Sequence, residues 1–279
     1  MILNFTKMQA VGNNFLVCDA ADLPSDAETL APLVSKLCHR AFGVGGDGLL
    51  LVGKADGGNI SMRIFNADGT EDTMCGNGLR CVVRWARARG WTQTTGVAQT
   101  LHGPIPFALN PDETVTLDMG VPQFDPKEIP VRASSALDIA VPVPDLGELR
   151  LDAVNTGTTH AVAWGVWPQK QSLFEGISRW IETNPIFPER TSVLWTKVES
   201  PSRLSLRIWE RGVGETMACG TGACAAAVLA IKRGKVGEGE ITVASAGGEQ
   251  LVNWEGDGKS VFLTGPAAFV FEGRATIAP

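Results

Sequence analysis

Short apolar runs alternate with polar turn clusters in the first part of the chain. Phe15–Cys18, Leu49–Val52 and Ile60–Phe65 are brief and rich in bulky apolar side chains, which is typical of β-strands. The third run leads into the turn cluster Asn66-Ala67-Asp68-Gly69, whose residues tolerate tight backbone geometry. This part of the chain is therefore predicted to consist of β-strands joined by turns.

The pattern changes after Cys75. Apolar positions now recur with a spacing close to 3.6 residues, at Leu79, Val82, Val83 and Ala86. This spacing predicts a helix with one apolar face, and Gly90 stands where a glycine commonly ends a helix. The same order of strand, turn and helix recurs in the second half, from residues 203–209 through the segment after Cys219 to Gly234.

The chain contains an internal duplication. Residues 63–90 align without a gap on residues 207–234, at a constant offset of 144 residues. A weaker echo relates residues 12–17 to residues 157–162 at an offset of 145 residues. The positions that coincide in the main repeat are Arg63/Arg207, Ile64/Ile208, Glu71/Glu215, Cys75/Cys219, Gly76/Gly220, Gly78/Gly222, Ala86/Ala230, Arg89/Arg233 and Gly90/Gly234. Two related domains are expected, and the prolines of residues 120–150 suit a connection or edge strands between them.

One glycine-rich segment matches the residue pattern of a cofactor-binding motif but not its structural context. Residues 43–48, Gly-Val-Gly-Gly-Asp-Gly, fit the dinucleotide-binding pattern G-x-G-x-x-G. That motif needs a strand before it and a helix after it. Here residues 33–40 have a helical pattern and Leu49–Val52 has a strand pattern. The order is reversed, so a turn is predicted and no dinucleotide cofactor is expected.

Composition narrows the class of protein. The 279 residues include 44% hydrophobic and 19% charged positions, which is ordinary for a globular protein with a core. The net charge of -6 argues against nucleic acid or an anionic membrane as a partner. No apolar run approaches the roughly 20 residues of a membrane span, and the first residues lack the features of a signal peptide. A cytoplasmic enzyme is expected.

The six cysteines do not form a recognisable metal or disulfide pattern. Cys75/Cys81 and Cys219/Cys224 lack the spacing of zinc knuckles, and the chain has only three histidines. A chain of this length with six cysteines is not a disulfide scaffold. Reduced thiols and no metal site are therefore expected.

Cys75 and Cys219 are the candidate reactive residues. Each stands at the start of a predicted helix, where unpaired N–H groups and the helix dipole favour negative charge. Such a position lowers a thiol pKa toward neutrality, as acid–base work at cellular pH requires. Two such groups could remove a proton from one face of a carbon and return it to the other. The N–H groups of the same helix starts could bind a carboxylate and stabilise an enediolate-like species.

The remaining cysteines have a structural interpretation. Cys81 and Cys224 lie inside the two predicted helices, on Ala- and Val-rich segments, where a cysteine usually acts as a small core residue. Cys18 and Cys38 are interpreted in the same way.

Several motifs together resemble the diaminopimelate epimerase family, over essentially the whole chain. They are Lys7-Met8 with Gly12-Asn13, residues 65–71 (FNADGTE), residues 75–78 (CGNG), residues 187–190 (FPER), residues 209–212 (WERG) and residues 214–224 (GETMACGTGAC). The resemblance implies an isomerase that interconverts LL- and meso-2,6-diaminopimelate without pyridoxal phosphate or another cofactor, in lysine and peptidoglycan synthesis. It also implies an α+β fold of two pseudo-symmetric domains, each a β-barrel-like sheet wrapped around a central helix. The domains would be residues 1–119 with 266–279 and residues 120–265, with the active site in the cleft between them.

The resemblance also assigns roles to matching positions. Cys75 and Cys219 would be the two bases. The α-carboxylate would be bound by Gly76, Asn77, Gly220 and Thr221, and the rest of the substrate by Asn13, Asn66, Glu210 and Arg211. A guanidinium suits a second carboxylate, which agrees with the role of Arg211. His160 and Glu210 would tune the cysteine pair, although the apolar surroundings of His160 equally suit a core histidine.

Two positions depart from the family pattern. The family's Gly-Asn-Pro-His is residues 157–160, Gly-Thr-Thr-His, in this chain, and an asparagine expected after the FPER motif is Ser192. Thr158 and Ser192 are thus expected to contact substrate with fewer hydrogen bonds than asparagine makes.

Two other functions remain open at this point. One is a racemase of the same fold that acts on another amino acid, such as histidine. The other is a redox-sensing thiol protein, although such a protein would not need Asn13, Asn66, Glu210 or Arg211. A small-molecule amino-acid substrate is the expected partner. A homodimer is expected as well, but the sequence itself does not determine the oligomeric state.

Overall fold

The computed structural model describes residues 2–144 and 147–276 and divides into two compact units. The first comprises residues 1–117 and 264–279, and the second residues 118–263. Each boundary lies two residues before the boundary expected from sequence. Both units are built mainly of strands with a few helices, so the fold class is α+β, as predicted.

The first unit contains two helices and a mixed sheet. Its elements are β1 (Ile2–Ala10), β2 (Asn13–Asp19), α1 (Ala27–Cys38), β3 (Gly48–Lys54), β4 (Ile60–Asn66), β5 (Glu71–Asp72), α2 (Gly76–Ala88), β6 (Thr95–Thr100), β7 (Gly103–Leu109), β8 (Val115–Asp118) and the final strand, β18 (Ala268–Thr276). Strand β1 pairs antiparallel with β18 and with β2, and β2 pairs parallel with β3. Strand β4 pairs antiparallel with β3 and β5 and parallel with β6, and β7 pairs antiparallel with both β6 and β8.

The second unit repeats this arrangement. Its elements are β9 (Ile139–Val143), β10 (Gly147–Asn155), β11 (Thr159–Trp164), α3 (Gln171–Glu182), β12 (Ser192–Ser200), β13 (Arg203–Glu210), β14 (Gly214–Thr216), α4 (Gly220–Lys232), β15 (Gly239–Ser245) and β16 (Gly248–Trp254), and β17 (Val261–Gly265) crosses the unit boundary in sequence. Strand β10 pairs with β9 and β11, β11 is parallel to β12, and β13 is parallel to β15. The proline-rich residues 120–150 therefore belong to the second unit, and β9 and the start of β10 lie within them.

The duplication extends over whole elements. Helix α3 begins and ends 144 residues after α1, and α4 stands in the same relation to α2. The parallel pair of β2 and β3 places Phe15 opposite Gly48, and the pair of β11 and β12 places His160 opposite Ser192. The two units therefore share one strand pairing scheme, although most residues at matching positions differ.

Each unit is built around one buried helix. Helix α2 packs against β1, β2, β3, β4 and β7, and α4 packs against β10–β13, β15 and β16. Every residue from Gly222 to Ala230 in α4 is buried. A Cβ atom added to Gly78 would lie 3.0 Å from Leu50 Cδ2, and one added to Gly222 would lie 3.0 Å from Leu194 Cδ2. Glycine at these two positions lets each helix start lie close to the strand beneath it.

The predicted helix ends and turns are also present. Gly90 and Gly234 follow α2 and α4 with φ angles of 67° and 61°, which is the left-handed conformation that commonly ends a helix. The glycine-rich residues 43–48 connect α1 to β3. This segment follows a helix and precedes a strand, which is the reverse of a dinucleotide-binding loop. Among the described residues, no helix is both long and apolar enough to cross a membrane.

Candidate active site

Cys75 and Cys219 occupy the same position in their units. Each is the N-cap residue of its helix, with extended backbone angles of φ −142° and ψ 113° for Cys75 and φ −135° and ψ 121° for Cys219. The Sγ atom of Cys75 accepts a hydrogen bond from Gly78 N at 3.4 Å, and that of Cys219 accepts one from Gly222 N at 3.3 Å. Serine, threonine, aspartate and asparagine are the usual N-caps. A cysteine in both caps therefore places a sulfur where negative charge is favoured.

An ion pair fixes the hairpin before each cysteine. Arg63 Nε lies 2.6 Å from Glu71 Oε1, and Arg207 Nε lies 2.8 Å from Glu215 Oε1. Each arginine is on the strand that precedes the turn, and each glutamate is four residues before its cysteine. The residues that coincide in the duplication thus include the arginine and glutamate whose ion pair stabilises the segment before each cysteine.

In the first unit, Asn13 lies next to the candidate base. Its Oδ1 atom is 3.9 Å from Cys75 Sγ, and its Nδ2 atom donates to Asp47 Oδ2 at 2.9 Å. The same carboxylate oxygen accepts from Asn14 N and Asn14 Nδ2, both at 2.8 Å. Asp47 therefore fixes the loop that carries Asn13. Asp47 is not recognisable from the sequence because it stands in the glycine-rich turn, where its only signal is a charge among glycines.

Asn77 is held from inside the helix. It is 2% exposed, and Arg80, which is fully buried, donates to Asn77 Oδ1 at 2.8 Å. Arg80 Nε also donates to the carbonyl of Pro266 at 3.1 Å. This arginine ties the returning C-terminal segment to the start of α2. No local pattern in the sequence indicates this role. Asn66 is the last residue of β4, and its Nδ2 atom donates to Thr70 Oγ1 at 3.2 Å.

In the second unit, a row of polar side chains leads away from Cys219. Thr221 Oγ1 lies 3.4 Å from Cys219 Sγ, and Thr158 Oγ1 lies 3.4 Å from Thr221 Oγ1. Thr158 Oγ1 is also 3.0 Å from His160 Nε2. The carbonyl of Thr221 accepts a hydrogen bond from Thr156 Oγ1 at 2.9 Å. The loop before β11 is therefore bonded to the first turn of α4.

His160 is uncharged at cellular pH. It has no exposed surface, and this burial, together with the positive charge of Arg211, lowers the pKa of His160 to about 3. Its Nδ1 atom has no hydrogen-bond partner among the described residues. The site therefore contains a neutral imidazole whose bonded nitrogen faces Thr158.

Ser192 supports the loop that carries Glu210 and Arg211. The residue is 6% exposed. Its Oγ atom accepts a hydrogen bond from Arg211 N at 3.1 Å. The guanidinium of Arg211 donates to the carbonyl of Glu189 at 3.1 Å, and Arg211 is exposed. Glu210 accepts a hydrogen bond from Thr216 Oγ1. Ser192 thus holds the backbone of Arg211, a role that the sequence pattern does not predict.

A buried carboxylate supports the same loop. Glu182, at the end of α3, accepts from Trp209 Nε1 at 2.6 Å and from Gly212 N at 2.8 Å. Its other partner is the guanidinium of Arg190. These bonds surround the loop that presents Arg211. An acidic residue at a helix end is too common a pattern to have indicated this role from sequence.

The other cysteines lie in the cores. Burial raises the pKa of the Cys18 and Cys81 thiols to about 12 and that of the Cys38 thiol to about 11. Cys224 has no exposed surface. The first three thiols stay protonated at cellular pH, and all four positions suit small core residues, which agrees with their interpretation from sequence.

The predicted residues fall into two groups, one in each unit. Each group includes one helix start, and Gly76 and Gly220 are the first residues of those helices. The first unit holds Asn13, Asn66, Cys75, Gly76 and Asn77, and the second holds Thr158, His160, Ser192, Glu210, Arg211, Cys219, Gly220 and Thr221.

Solved structures of low sequence identity share this fold. A Bacillus anthracis protein of the PhzF phenazine biosynthesis family has a TM-score of 0.72 at 17% identity, covering 99% of this chain and 100% of that chain. A hydroxyproline epimerase from Agrobacterium vitis, with bound trans-4-hydroxy-L-proline, has a TM-score of 0.71 at 17% identity, covering 98% of this chain and 92% of that chain. At this level of identity the similarity shows the fold alone.

Closer relatives and a family model indicate the family. The model of diaminopimelate epimerase matches residues 5–124 and 152–270. A diaminopimelate epimerase of Nitrosospira multiformis is 41% identical, with 98% of each chain covered. That of Elusimicrobium minutum is 39% identical, covering 97% of this chain and 98% of the relative. With two equivalent cysteine-capped helices and this similarity over nearly its full length, the chain belongs to the diaminopimelate epimerase family, a family of isomerases.

Proposed function

We propose that the chain converts LL-2,6-diaminopimelate to the meso isomer with Cys75 and Cys219 as paired bases, without pyridoxal phosphate. The observation that carries this proposal is the closely similar cap geometry of the two cysteines in duplicated units. One sulfur would act as thiolate and remove the α-proton. The other would act as thiol and return a proton to the opposite face of the same carbon.

The helix starts suit the reacting carboxylate. The first N–H groups of a helix have no partner within the helix and attract anions. At α2 these belong to Gly76 and Asn77, and at α4 to Gly220 and Thr221. Donors in this position would also stabilise the charge that moves onto the carboxylate oxygens when the α-proton leaves.

Arg211 supports diaminopimelate over a monocarboxylic amino acid. Its guanidinium is exposed and held at one end by the carbonyl of Glu189, which leaves donors for a second carboxylate. Asn13, Asn66 and Glu210 would bind the remaining polar groups. Because Ser192 and Thr158 already bond to neighbouring protein groups, their share in binding the distal end is smaller than the resemblance implies.

The proposal also includes a cytoplasmic location and a homodimeric state for this chain. A cytoplasmic enzyme of lysine and peptidoglycan synthesis follows from the resemblance and from the composition. Three successive apolar residues of β18, Phe269, Val270 and Phe271, are 42%, 56% and 49% exposed. This exposed run supports a homodimer, and sedimentation velocity of the purified chain tests it.

The reaction is tested by proton exchange in D₂O. Purified protein is incubated with LL-diaminopimelate and with single L-amino acids including histidine, and proton NMR follows each α-hydrogen. We expect exchange and epimerisation of LL-diaminopimelate. Exchange of a monocarboxylic amino acid with none of diaminopimelate would contradict the substrate and leave the two-base chemistry in place.

The two bases are tested with serine variants. Serine is a good N-cap, so Cys75→Ser and Cys219→Ser keep the helix starts, with stabilities within about 1 kcal/mol of the parent. An alcohol is a far weaker acid than a thiol. Turnover should therefore fall on the order of 10²- to 10⁴-fold in each variant. Cys81→Ala, a core truncation, is the control and should keep its activity. Normal turnover in either serine variant would contradict the proposal.

A further inference from the structure

A buried carboxylate contacts both segments that position Arg211. The backbone N–H of Arg211 lies in the turn between β13 and β14, where it donates to Ser192 Oγ. The guanidinium of Arg211 donates to the carbonyl of Glu189, in the loop between α3 and β12. Glu182, which is 2% exposed at the end of α3, bonds to both segments. The location of the Arg211 guanidinium therefore depends on two segments that contact the same side chain.

Glu182 holds the β13–β14 turn on both sides of Arg211. Its Oε2 atom accepts from Trp209 Nε1 at 2.6 Å, and its Oε1 atom accepts from Gly212 N at 2.8 Å. Trp209 is 4% exposed, and its ring packs edge-on against Phe174 of α3 with 6.2 Å between the ring centroids. A buried indole N–H needs an acceptor, and Glu182 supplies it. One carboxylate therefore fixes the residue two positions before Arg211 and the residue directly after it.

Glu182 also holds the loop that contains Glu189. The guanidinium of Arg190 pairs with Glu182 Oε1, and the backbone carbonyl of Glu182 accepts from Thr191 N at 3.3 Å. Arg190 has a φ of 63°, a left-handed conformation that an arginine rarely adopts. Such a conformation persists where surrounding contacts hold it, and it occurs preferentially at functional sites. The preceding residue, Glu189, supplies the carbonyl that binds the Arg211 guanidinium.

The duplication gives these positions residues of another kind in the first unit. Three side chains of the second unit differ in chemistry from their counterparts 144 residues earlier: Glu182 from Cys38, Trp209 from Phe65 and Arg211 from Ala67. In the first unit the turn after β4 is held from within, since Asp68 Oδ1 accepts from Thr70 N at 2.9 Å. A phenyl ring has no N–H group, and a methyl group cannot bind a carboxylate. The carboxylate, the indole and the guanidinium therefore occur together in one copy of the duplication.

We propose that Glu182 is a positioning residue for the second carboxylate of the substrate, and that it acts through Arg211. The inference rests on the proposed function. The Arg211 side chain is long and exposed, so an unrestrained guanidinium would lose rotamer freedom when it binds. Held at its backbone and at its guanidinium, Arg211 has lost much of this freedom before the substrate arrives. Glu182 thus favours substrate binding and takes no part in proton transfer.

The test compares the steady-state kinetics of Glu182→Gln with those of the parent protein. Glutamine keeps the size of the side chain but has one acceptor oxygen in place of two, and its NH₂ group cannot accept from Trp209 or Gly212. KM for LL-diaminopimelate should rise about three- to tenfold, and kcat should stay nearly unchanged. Glu175→Gln makes the same change at an exposed residue of the same helix, and it should leave both constants at the parent values.

A double-mutant cycle separates positioning from a general structural role. Arg211→Ala should raise KM about 10- to 100-fold, because it removes a charge-assisted contact. If Glu182 acts through Arg211, then Glu182→Gln should raise KM no further in the Arg211→Ala background. A merely structural role would raise KM by the same factor in both backgrounds. Urea unfolding of each variant shows how much folding stability it has lost.

Arg190→Gln breaks the same ion pair from its other side, at a side chain that is 49% exposed. This variant provides the test if Glu182→Gln does not fold, and it should raise KM only when Arg211 is present. An unchanged KM in both variants, or an additive effect in the Arg211→Ala background, would overturn the inference while the parent still epimerises diaminopimelate. A parent protein that exchanges no α-proton of diaminopimelate would instead refute the proposed function, and the inference with it.

Discussion

At the scale of single residues, burial decides what the titratable groups can do. Cys81 is fully buried inside α2, where its raised pKa keeps it protonated. Cys75 is partly exposed at the cap of the same helix. His160 is fully buried and stays neutral. Residues of the same type therefore take different roles according to their distance from a helix end and from solvent.

His160 should make the folded protein sensitive to acid. Its pKa is about 3 in the folded chain and about 6.5 in an unfolded chain. Below pH 6.5 the unfolded chain binds a proton that the folded chain does not. The free energy of unfolding should therefore fall as pH drops toward 3, by up to about 1.4 kcal/mol per pH unit.

The measurement is urea unfolding between pH 4 and pH 8. His160→Gln removes the titrating group and should give a flatter dependence on pH than the parent protein. His102→Gln, at an exposed histidine, serves as the control and should keep the parent slope. Equal slopes in His160→Gln and in the parent would show that His160 is protonated in the folded state.

At the scale of elements, the glycines at the two ends of α4 have different tasks. Gly222 is in the first turn, where an added Cβ would lie 3.0 Å from Leu194 Cδ2 and 3.3 Å from Cys219 Sγ. Gly234 follows the last turn with a φ of 61° and no atom within 4 Å of an added Cβ. The first glycine makes room for the sulfur and the strand below, and the second supplies a backbone conformation.

Alanine at these two positions should separate activity from stability. Gly222→Ala should displace the sulfur or the helix start and lower turnover by on the order of 10²-fold, since a misplaced base loses its alignment. Gly234→Ala should lower the free energy of unfolding by about 1–2 kcal/mol with turnover unchanged. Steady-state kinetics and urea unfolding of both variants check this. Normal turnover in Gly222→Ala would mean that the helix start tolerates the methyl group.

At the scale of the whole molecule, the duplication explains why the chain has two equivalent cysteine-capped helices. Each unit supplies one capped cysteine, one ion pair before it and one parallel strand pair beneath it. The copies then differ in the residues around the sulfur, such as Asn13 and Thr158. A duplicated fold can thus place two cysteines in equivalent positions with different surroundings.

Shared action on one carbon has a consequence for oxidation. If the proposed function holds, the two sulfurs come close enough to form a disulfide in the absence of substrate. Air oxidation, in which oxygen takes the electrons of the two thiols, should inactivate the enzyme, and a thiol reductant should restore it. Peptide mapping should find Cys75 joined to Cys219. Cys81→Ala should behave like the parent, and full activity with no such crosslink after strong oxidation would contradict a shared site.

Much of the fold could be predicted because its signals are local. The 3.6-residue spacing after Cys75 and the glycine after each helix report backbone conformation over a few residues. These local signals correctly predicted helices α2 and α4 and the glycines that follow them. Helix α3 and the start of α1 were not predicted. The full extent of the duplication was not recognisable from sequence either. The two units keep the same strand pairing at positions where their residues differ.

The amino-acid order alone is therefore enough to recognise the duplication, the two helix starts and the pair of cysteines, and through these the family. The groups that surround each sulfur depend instead on how the folded chain packs. Asn13 meets Asp47 across 34 positions, Thr158 meets Thr221 across 63, and Arg80 meets Pro266 across 186. Such hydrogen bonds depend on strand register and on how each helix lies on its sheet. Local patterns specify which face of an element is apolar, and long-range packing determines which polar groups meet there.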